Sequence, residues 1–118
     1  MGWEIEGTDQ FNNWYDGLDA VETKAVNTAV DILAEGGPSL GRPFVDTING
    51  SQIANLKELR PKRNNIRILF VFDPRRTVIL LIGGSKTDDW QGWYDRNIPE
   101  AEQLYADYLS ELRKDGIL

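Results

Sequence analysis

The sequence predicts an α+β fold in which a mainly antiparallel, twisted sheet is packed by helices. Three observations predict this class. Helix caps and helically spaced apolar residues mark two helices in the first third of the chain. Three short apolar stretches with tight connections follow in the middle, and the last third is again amphipathic at helical spacing. With a short strand at the start, the predicted order is β-α-α-β-β-β-α, in a single domain over residues 1–118.

The first third of the chain predicts one strand and two helices. Apolar and charged residues alternate over 3–6, as they do in a half-exposed strand. Thr8 is a suitable N-cap for a helix over Asp9–Asp16. Asp19 and Glu22 have the spacing of a capping box that starts a second helix, and a Gly-Gly-Pro run ends it.

The middle of the chain predicts a long loop and three strands. Residues 36–54 are rich in Gly, Pro, Ser and Asn, which indicates a loop of unusual length. The strands are predicted over 54–60, 65–73 and 77–82, and their short links indicate an antiparallel meander. Apolar residues occupy alternate positions of the second strand, so Arg67 belongs to the face opposite them.

The last third predicts a break, a loop and a helix. The run Gly-Gly-Ser-Lys over 83–86 is expected to end the sheet, and residues 87–94 form an aromatic and acidic loop. Asn97 is a candidate N-cap with Glu100 reaching back to it. The helix is expected to run to the glycine at 116.

The residues that are missing exclude several kinds of chemistry. The chain has no Cys, which excludes disulfides, thiolate nucleophiles and cysteine-based metal sites. It has no His, which excludes an imidazole base. Asp88 and Asp89 are a close acidic pair in an irregular segment, but such pairs are more often simply solvated, so no metal or cofactor is expected. No apolar run suits a membrane span or signal peptide, so we expect a cytoplasmic protein without a membrane partner.

Charge is distributed unevenly along the chain. The net charge is −6, yet residues 57–86 hold eight cations and two anions, while the segments on either side are both acidic. A polyanion responds to the local field, so the basic block is a candidate nucleic-acid surface. The alternative is that strands simply carry long cations on their solvated face. The eight cations are Lys57, Arg60, Lys62, Arg63, Arg67, Arg75, Arg76 and Lys86.

Basic strands suit RNA because RNA carries its own nucleophile, the 2′-hydroxyl beside the phosphate. A protein then needs to hold the phosphate, stabilise the developing charge and move protons. Arg60 and Arg67 lie on successive predicted strands and can converge on one face, and their planar forks match phosphate oxygens. Lys86 follows the third strand and is a candidate proton donor. Trp90, Trp93 and Tyr94 can stack on an unpaired base, or these aromatic residues can instead cover the core under their loop.

Four segments also carry a family resemblance: Leu59–Pro61, Ile66–Asp73, Val78–Thr87 and Ile98–Ala101. With the predicted order of elements, they resemble the HigB-like branch of the RelE/ParE superfamily, the phage-derived toxins of type II toxin–antitoxin modules. The resemblance runs from about Trp3 to Leu112. It implies a RelE-like fold, and a toxin that cuts mRNA on the translating ribosome without a cofactor. It also implies neutralisation by a HigA-like helix-turn-helix antitoxin in a hetero-oligomer.

The resemblance assigns roles to the cations of the basic block. Arg60, Arg67 and Lys86 match the basic positions that hold and cleave the message in this family. Lys62 and Arg63 are expected to contribute to binding of ribosomal RNA. The remaining residues expected to contact RNA are Lys57, Arg76, Trp90 and Tyr94.

Departures from the family pattern keep two other functions open. Many members have two consecutive basic residues where this chain has Ser85 and Lys86, and some use a His or a Tyr near the end of the sheet. Here the nearest phenol is Tyr94. One alternative is a non-catalytic inhibitor of a cellular target, as in the gyrase-poisoning ParE branch. The other is a decayed toxin whose remaining activity is antitoxin binding.

Overall fold

The computed structural model describes residues 2–85 and 90–118, and of Trp90 it describes the backbone alone. No helix in this part of the chain is both long and apolar enough to cross a membrane. A single 3₁₀ turn, Gly37–Ser39, follows the second helix. The other elements are β1 (Glu4–Gly7), α1 (Asp9–Asp16), α2 (Ala20–Gly36), β2 (Val45–Thr47), β3 (Lys57–Leu59), β4 (Ile66–Asp73), β5 (Thr77–Ser85) and α3 (Trp90–Lys114).

The described strands form one five-stranded sheet in the order β1-β5-β4-β3-β2. β1 is parallel to β5, and every other neighbouring pair is antiparallel. The tight turn after Asp73 joins β4 to β5, with the Arg76 N–H donating to the Asp73 carbonyl at 3.1 Å. The predicted class, a mainly antiparallel sheet packed by helices, is therefore confirmed.

Each face of the sheet buries its own hydrophobic cluster. Alternation along the strands sends successive side chains to opposite faces, so both faces of the central strands β4 and β5 are apolar. Helices α1 and α2 cover one face, where the cluster includes Phe11, Val26, Leu33, Leu59, Ile66, Ile68, Phe70 and Val78. Helix α3 covers the other, where the cluster includes Leu56, Leu69, Val71, Ile79, Leu81, Trp93 and Ala101.

The two N-terminal helices start where their caps predict. The Thr8 side chain accepts a hydrogen bond from the Phe11 N–H. At the start of α2, the Asp19 carboxylate accepts from the Glu22 N–H at 2.8 Å, and Glu22 accepts from the Asp19 N–H at 3.2 Å. Such caps satisfy backbone donors that the first helical turn leaves open. The predicted starts of α1 and α2 are therefore confirmed.

The predicted loop over 36–54 contains a strand that the sequence did not reveal. β2 pairs with β3 along three residues, with Val45 opposite Leu59. A strand this short has too few residues for alternation to be detected. The strand predicted over 54–60 is likewise reduced to β3, although Leu56 before it is fully buried.

The predicted break at 83–86 is wrong in position, because β5 continues to Ser85. Gly83 and Gly84 are strand residues over which aromatic rings lie. A Cβ on Gly83 would be 2.3 Å from Cε3 of Trp14, and one on Gly84 would be 2.6 Å from Nε1 of Trp93. Glycine is required at these positions because rings pack against the backbone, not because the chain turns.

The last helix begins earlier than predicted. α3 starts at Trp90 and contains Pro99, so the predicted N-cap Asn97 lies inside the helix. The Asn97 side-chain amide donates to the Trp93 carbonyl at 2.8 Å. Proline removes one helical donor, but this helix continues through it because Trp93 on one side and Ala101 on the other are buried against the sheet.

A polar network fixes the C-terminal half of α3. Arg75, after β4, pairs with the fully buried side chain of Asp73 at 3.1 Å and donates to the Tyr108 hydroxyl at 2.5 Å. Tyr108 in turn donates to Glu6 on β1. Burial and the bond to Glu6 raise the pKa of Tyr108 to about 12, so its hydroxyl keeps the proton that this network needs.

Candidate functional site

Two of the predicted site residues lie on the same face of the sheet. β3 and β4 pair with Leu59 opposite Ile68, so the next position along this register sets Arg60 opposite Arg67. Both side chains belong to the face that α3 covers, because their neighbours Leu59 and Ile68 belong to the cluster on the other face. The positive charges of Arg67 and Arg60 both act on the phenol of Tyr94, on α3. The structure therefore brings Arg60, Arg67 and Tyr94 together.

Arg60 is held by two carboxylates that the sequence reasoning did not include. Its Nε and Nη2 donate to Glu58 Oε2 at 2.9 and 2.7 Å, and Nη2 also donates to Asp46 Oδ2 at 3.1 Å. Burial alone would lower the pKa of Arg60, but the hydrogen bond and charge of Glu58 raise it. The sequence did contain a signal for this pair, since Glu58 lies two positions before Arg60 on the same strand face.

Asp46 is shared between two arginines. Its carboxylate lies 3.0 Å from Arg42 and 3.1 Å from Arg60. Burial would raise the pKa of Asp46, but hydrogen bonds from Arg42 and the Thr47 N–H, together with both positive charges, lower it. Asp46 is therefore ionised at neutral pH and compensates part of the positive charge of the site.

Glu58 also binds the phenol of the site. Its side chain is 3% exposed, and its Oε1 accepts from the Tyr94 hydroxyl at 2.7 Å. Burial and this hydrogen bond raise the pKa of Tyr94 despite the nearby arginines. Tyr94 therefore stays protonated at neutral pH, which makes it a hydrogen-bond donor rather than a base.

Arg67 lies on β4, between Arg60 on one side and the end of β5 on the other. Its Nη1 donates to the Ile66 carbonyl at 2.9 Å. Across the strand pair it faces Gly84, over which the Trp93 indole lies. Ser85 pairs with Ile66 and donates to the Asn64 carbonyl. Lys86, the third predicted catalytic residue, lies outside the described residues, as does the Asp88–Asp89 pair.

The other predicted RNA contacts are scattered over the molecule. Lys57 precedes Glu58 and so lies on the opposite face, where Nζ donates to Thr47 at 3.2 Å. Arg76 lies in the turn at the far end of β4, 5.1 Å from the Trp3 ring. Lys62 and Arg63 follow β3 and face α2. The side chain of Trp90 lies outside the described part of the chain.

A cleft of about 330 Å³ opens beside the arginine cluster, between β2, β3 and the first turns of α3. The ion pairs beside the cleft join Arg42 and Arg60 to Asp46 and Glu58, so these four charges balance, and Arg67 adds one positive charge nearby. An anion that enters the cleft therefore competes with Glu58 and Asp46 for Arg60. The lining residues are Asp46, Thr47, Ile48, Asn49, Glu58, Arg60, Gln91, Tyr94 and Ile98.

Comparison with known proteins identifies the family. Residues 13–106 match the family described as phage-derived Gp49-like proteins. A protein of Mycobacterium tuberculosis named "Putative toxin HigB3" is 48% identical over 107 residues, which are 91% of this chain and 94% of that protein. The chain belongs to the phage-derived Gp49-like toxin family. This confirms the HigB-like resemblance of the sequence.

A second relative and two solved structures agree with this family. "Putative toxin HigB2" of M. tuberculosis is 41% identical over 94% of this chain, which spans about half (56%) of that protein. The isolated RelE toxin of E. coli matches with a TM-score of 0.61 and 7% identity, over 81% of this chain and 98% of that one. The RelBE2 toxin–antitoxin complex of M. tuberculosis matches with a TM-score of 0.58 and 16% identity, over 73% of this chain and 100% of that one. The Gp49-like toxin thus has a RelE-type fold.

Proposed function

We propose that this toxin cleaves mRNA on the translating ribosome and is the toxic component of a type II toxin–antitoxin module. The observation that carries the proposal is the placement of Arg60 and Arg67 beside Tyr94 at one end of the sheet. The strand that leads to Lys86 ends there as well, since Ser85 pairs with the neighbour of Arg67. Relatives named as HigB toxins support the same conclusion.

The proposed reaction uses the RNA's own nucleophile. The 2′-hydroxyl oxygen forms a bond to the adjacent phosphorus, and the bond from phosphorus to the 5′-oxygen of the next nucleotide breaks. The 2′-hydroxyl loses its proton and the departing 5′-oxygen gains one, which leaves a 2′,3′-cyclic phosphate and a 5′-hydroxyl. Because the nucleophile belongs to the substrate, this reaction requires charge stabilisation and proton transfer but no metal.

Each candidate residue has a separate task in this reaction. Arg67 and Arg60 hold the scissile phosphate and stabilise the extra negative charge of the transition state. Lys86 donates a proton to the departing oxygen or stabilises it electrostatically. Tyr94 keeps its proton because its pKa is raised, so it contributes contact and hydrogen bonding rather than base catalysis.

One observation favours a second candidate, a toxin that acts by binding alone. Nε and Nη2 of Arg60 donate to Glu58, and Nη2 also donates to Asp46, so a phosphate must displace a carboxylate before it forms a bidentate contact with this arginine. A binding-only toxin needs no such exchange. It would stop growth without cut mRNA, or would bind its antitoxin without stopping growth.

Substitution of Arg67 and of Lys86 tests the proposal. Induced expression of the wild-type chain should stop growth and produce new mRNA 5′ ends. Arg67→Ala and Lys86→Ala should each abolish growth arrest and lower cleavage by about a hundredfold or more, as expected when a transition-state contact is lost. Growth, protein synthesis and mRNA 5′ ends are followed in the same cultures.

Two exposed cations in the last turn of α3 supply matched controls. Arg113→Ala and Lys114→Ala remove the same groups far from the site, and both variants should remain fully toxic. Unchanged toxicity of the Arg67 and Lys86 variants would overturn the site assignment. Growth arrest without new mRNA 5′ ends would favour the binding-only function over cleavage.

A further inference from the structure

A groove on the other side of Arg60 is a concavity that the candidate site leaves unused. It lies between α2 and the segment that follows β3, and its volume is about 560 Å³. Positions 21, 25, 28 and 32 of α2 form one wall because they recur at helical spacing. Phe44 and Pro61 complete a surface that is mostly apolar.

One apolar side chain at this groove is unusually exposed. Val21 is 53% exposed, and only three large hydrophobic residues in the described part of the chain are exposed to this degree. Ala29, two turns farther along α2, also lines the groove and is buried. The apolar surface of α2 therefore continues from the core into the groove, where the described residues leave Val21 more than half exposed.

The rim of the groove is positively charged. Lys24 lies on α2, while Lys62 and Arg63 lie on the opposite wall, and Lys62 Nζ is 5.6 Å from the centre of the Phe44 ring. Of the described residues that line the groove, four are cationic and none is acidic. The surroundings differ from those of the candidate site, where carboxylates compensate the arginines.

We propose that this groove binds an acidic amphipathic segment of the antitoxin. The inference rests on the proposed function and adds the place and the chemistry of the contact. Aliphatic side chains of the segment would cover Val21, Ala25 and Phe44, and its carboxylates would meet Lys24, Lys62 and Arg63. An RNA backbone would use the cations but leave the apolar wall uncovered, so a peptide fits the groove better than RNA does.

The groove and the candidate site are adjacent, because Arg60 lines both the groove and the cleft beside Tyr94. Its guanidinium is bonded to Glu58 and Asp46 on the face that α3 covers. An antitoxin segment in the groove would therefore lie next to the candidate site without entering the cleft.

Two apolar residues of equal exposure make a matched test. Val21→Asp places a carboxylate in the groove, whereas Ile117→Asp makes the same chemical change at a residue that is 54% exposed near the C-terminus. The probe is the purified product of the reading frame adjacent to this gene, titrated by calorimetry into the full-length toxin. Val21→Asp should weaken binding by about tenfold or more, and Ile117→Asp should leave it within about twofold.

Charge reversal and an RNA probe complete the experiment. Lys24→Glu should weaken antitoxin binding, while Lys114→Glu should not. Affinity for a short single-stranded RNA should change little in Val21→Asp. Equal antitoxin affinity of Val21→Asp and wild type overturns the groove assignment, and so does a groove variant that loses RNA but keeps the antitoxin.

These outcomes are separable from failure of the proposed function. If the groove variants bind the antitoxin normally and the wild-type toxin still cuts mRNA, only the groove assignment is wrong. If the adjacent gene product does not bind the wild-type toxin at all, the groove assignment and the antitoxin part of the proposed function are both wrong. Cleavage of mRNA is scored independently in that case.

Discussion

Glu58 is the residue on which the geometry of the candidate site depends most. Its two carboxylate oxygens serve different partners, with one accepting from Tyr94 and the other from Arg60. A carboxylate this deeply buried is costly unless it is paired and hydrogen-bonded. The Glu58 carboxylate therefore holds α3 through Tyr94 and holds Arg60 at the end of β3. It also competes with any phosphate that approaches Arg60.

Replacing Glu58 by Gln should separate these two effects. The amide keeps the shape but loses the charge, so the bonds to Arg60 and Tyr94 weaken. We expect the free energy of unfolding to fall by about 1–3 kcal/mol, as for a hydrogen-bonded group left poorly paired. We expect the affinity of the folded protein for single-stranded RNA to rise, because Arg60 loses its competitor. Urea unfolding and RNA titration measure the two quantities.

Glu111→Gln is the matched control for this change. Glu111 is exposed on α3. Glu111→Gln should therefore change stability and RNA affinity only slightly, by the effect of one lost surface charge. A fall in stability together with a fall in RNA affinity for Glu58→Gln would contradict the competition. In that case Glu58 would hold Arg60 in place for RNA rather than away from it.

At the scale of the secondary structure elements, the sequence predicts correctly those features that depend on residues close together in the chain. The caps at Thr8 and Asp19 and the alternating faces of β4 follow from neighbours in sequence, and both were predicted correctly. β2 was missed because it exists only through its pairing with β3. The start of α3 was misplaced because Asn97 and Pro99 have the chemistry of a helix start, while burial of Trp93 extends the helix upstream.

The candidate site shows the same limit. Arg60 and Arg67 were placed on one face from alternation and strand order alone. The partner Asp46 was not predicted because it belongs to the missed strand β2. The bond between Tyr94 and Glu58 was not predicted because Tyr94 belongs to the misplaced start of α3. The sequence therefore indicated where the cations are, but not how far their charge is compensated.

The glycines of β5 give a test at this scale. Gly83 was expected to turn the chain, yet it lies in the strand beneath Trp14. A methyl group there would overlap the indole, which is rigid and packed on the core, so one of them must move. We expect Gly83→Ala to lower the free energy of unfolding by about 1–3 kcal/mol, the usual cost of overpacking. Urea unfolding measures the change.

Gly41→Ala is a suitable comparison because a Cβ at Gly41 meets nothing within 4 Å. This variant should leave stability nearly unchanged or raise it slightly, since alanine restricts the unfolded chain. If Gly83→Ala were as stable as wild type, the close approach of Trp14 would not be what requires glycine.

Across the whole molecule, the net charge and the local charge have opposite signs. The chain carries −6 in total, while residues 57–86 carry an excess of six cations. The structure divides these cations among different surfaces. Arg60 and Arg67 lie at the candidate site, Lys62 and Arg63 border the groove against α2, and Arg76 lies at the far end of the sheet. RNA at the site should therefore meet far fewer cations than the basic block contains.

The dependence of RNA binding on salt measures how many cations take part. Each phosphate neutralised on a single strand contributes about −0.7 to the slope of log K against log salt concentration. If Arg60, Arg67 and Lys86 are the contacts, the slope should be about −2. The RNA is 2′-O-methylated so that it binds without being cut. Arg67→Ala should reduce the slope by about 0.7, and Arg113→Ala should leave it unchanged.

The size of the slope also shows whether Lys62 and Arg63 belong to the RNA surface or to a groove that binds the antitoxin. A slope of about −3.5 would mean that roughly five phosphates are neutralised. Lys62 and Arg63 would then belong to the RNA surface, and the groove beside α2 could not be reserved for the antitoxin. A slope near zero would contradict phosphate binding at the site altogether. A slope of about −2 that is unchanged in a Lys62→Ala, Arg63→Ala double variant would assign the two surfaces to different partners.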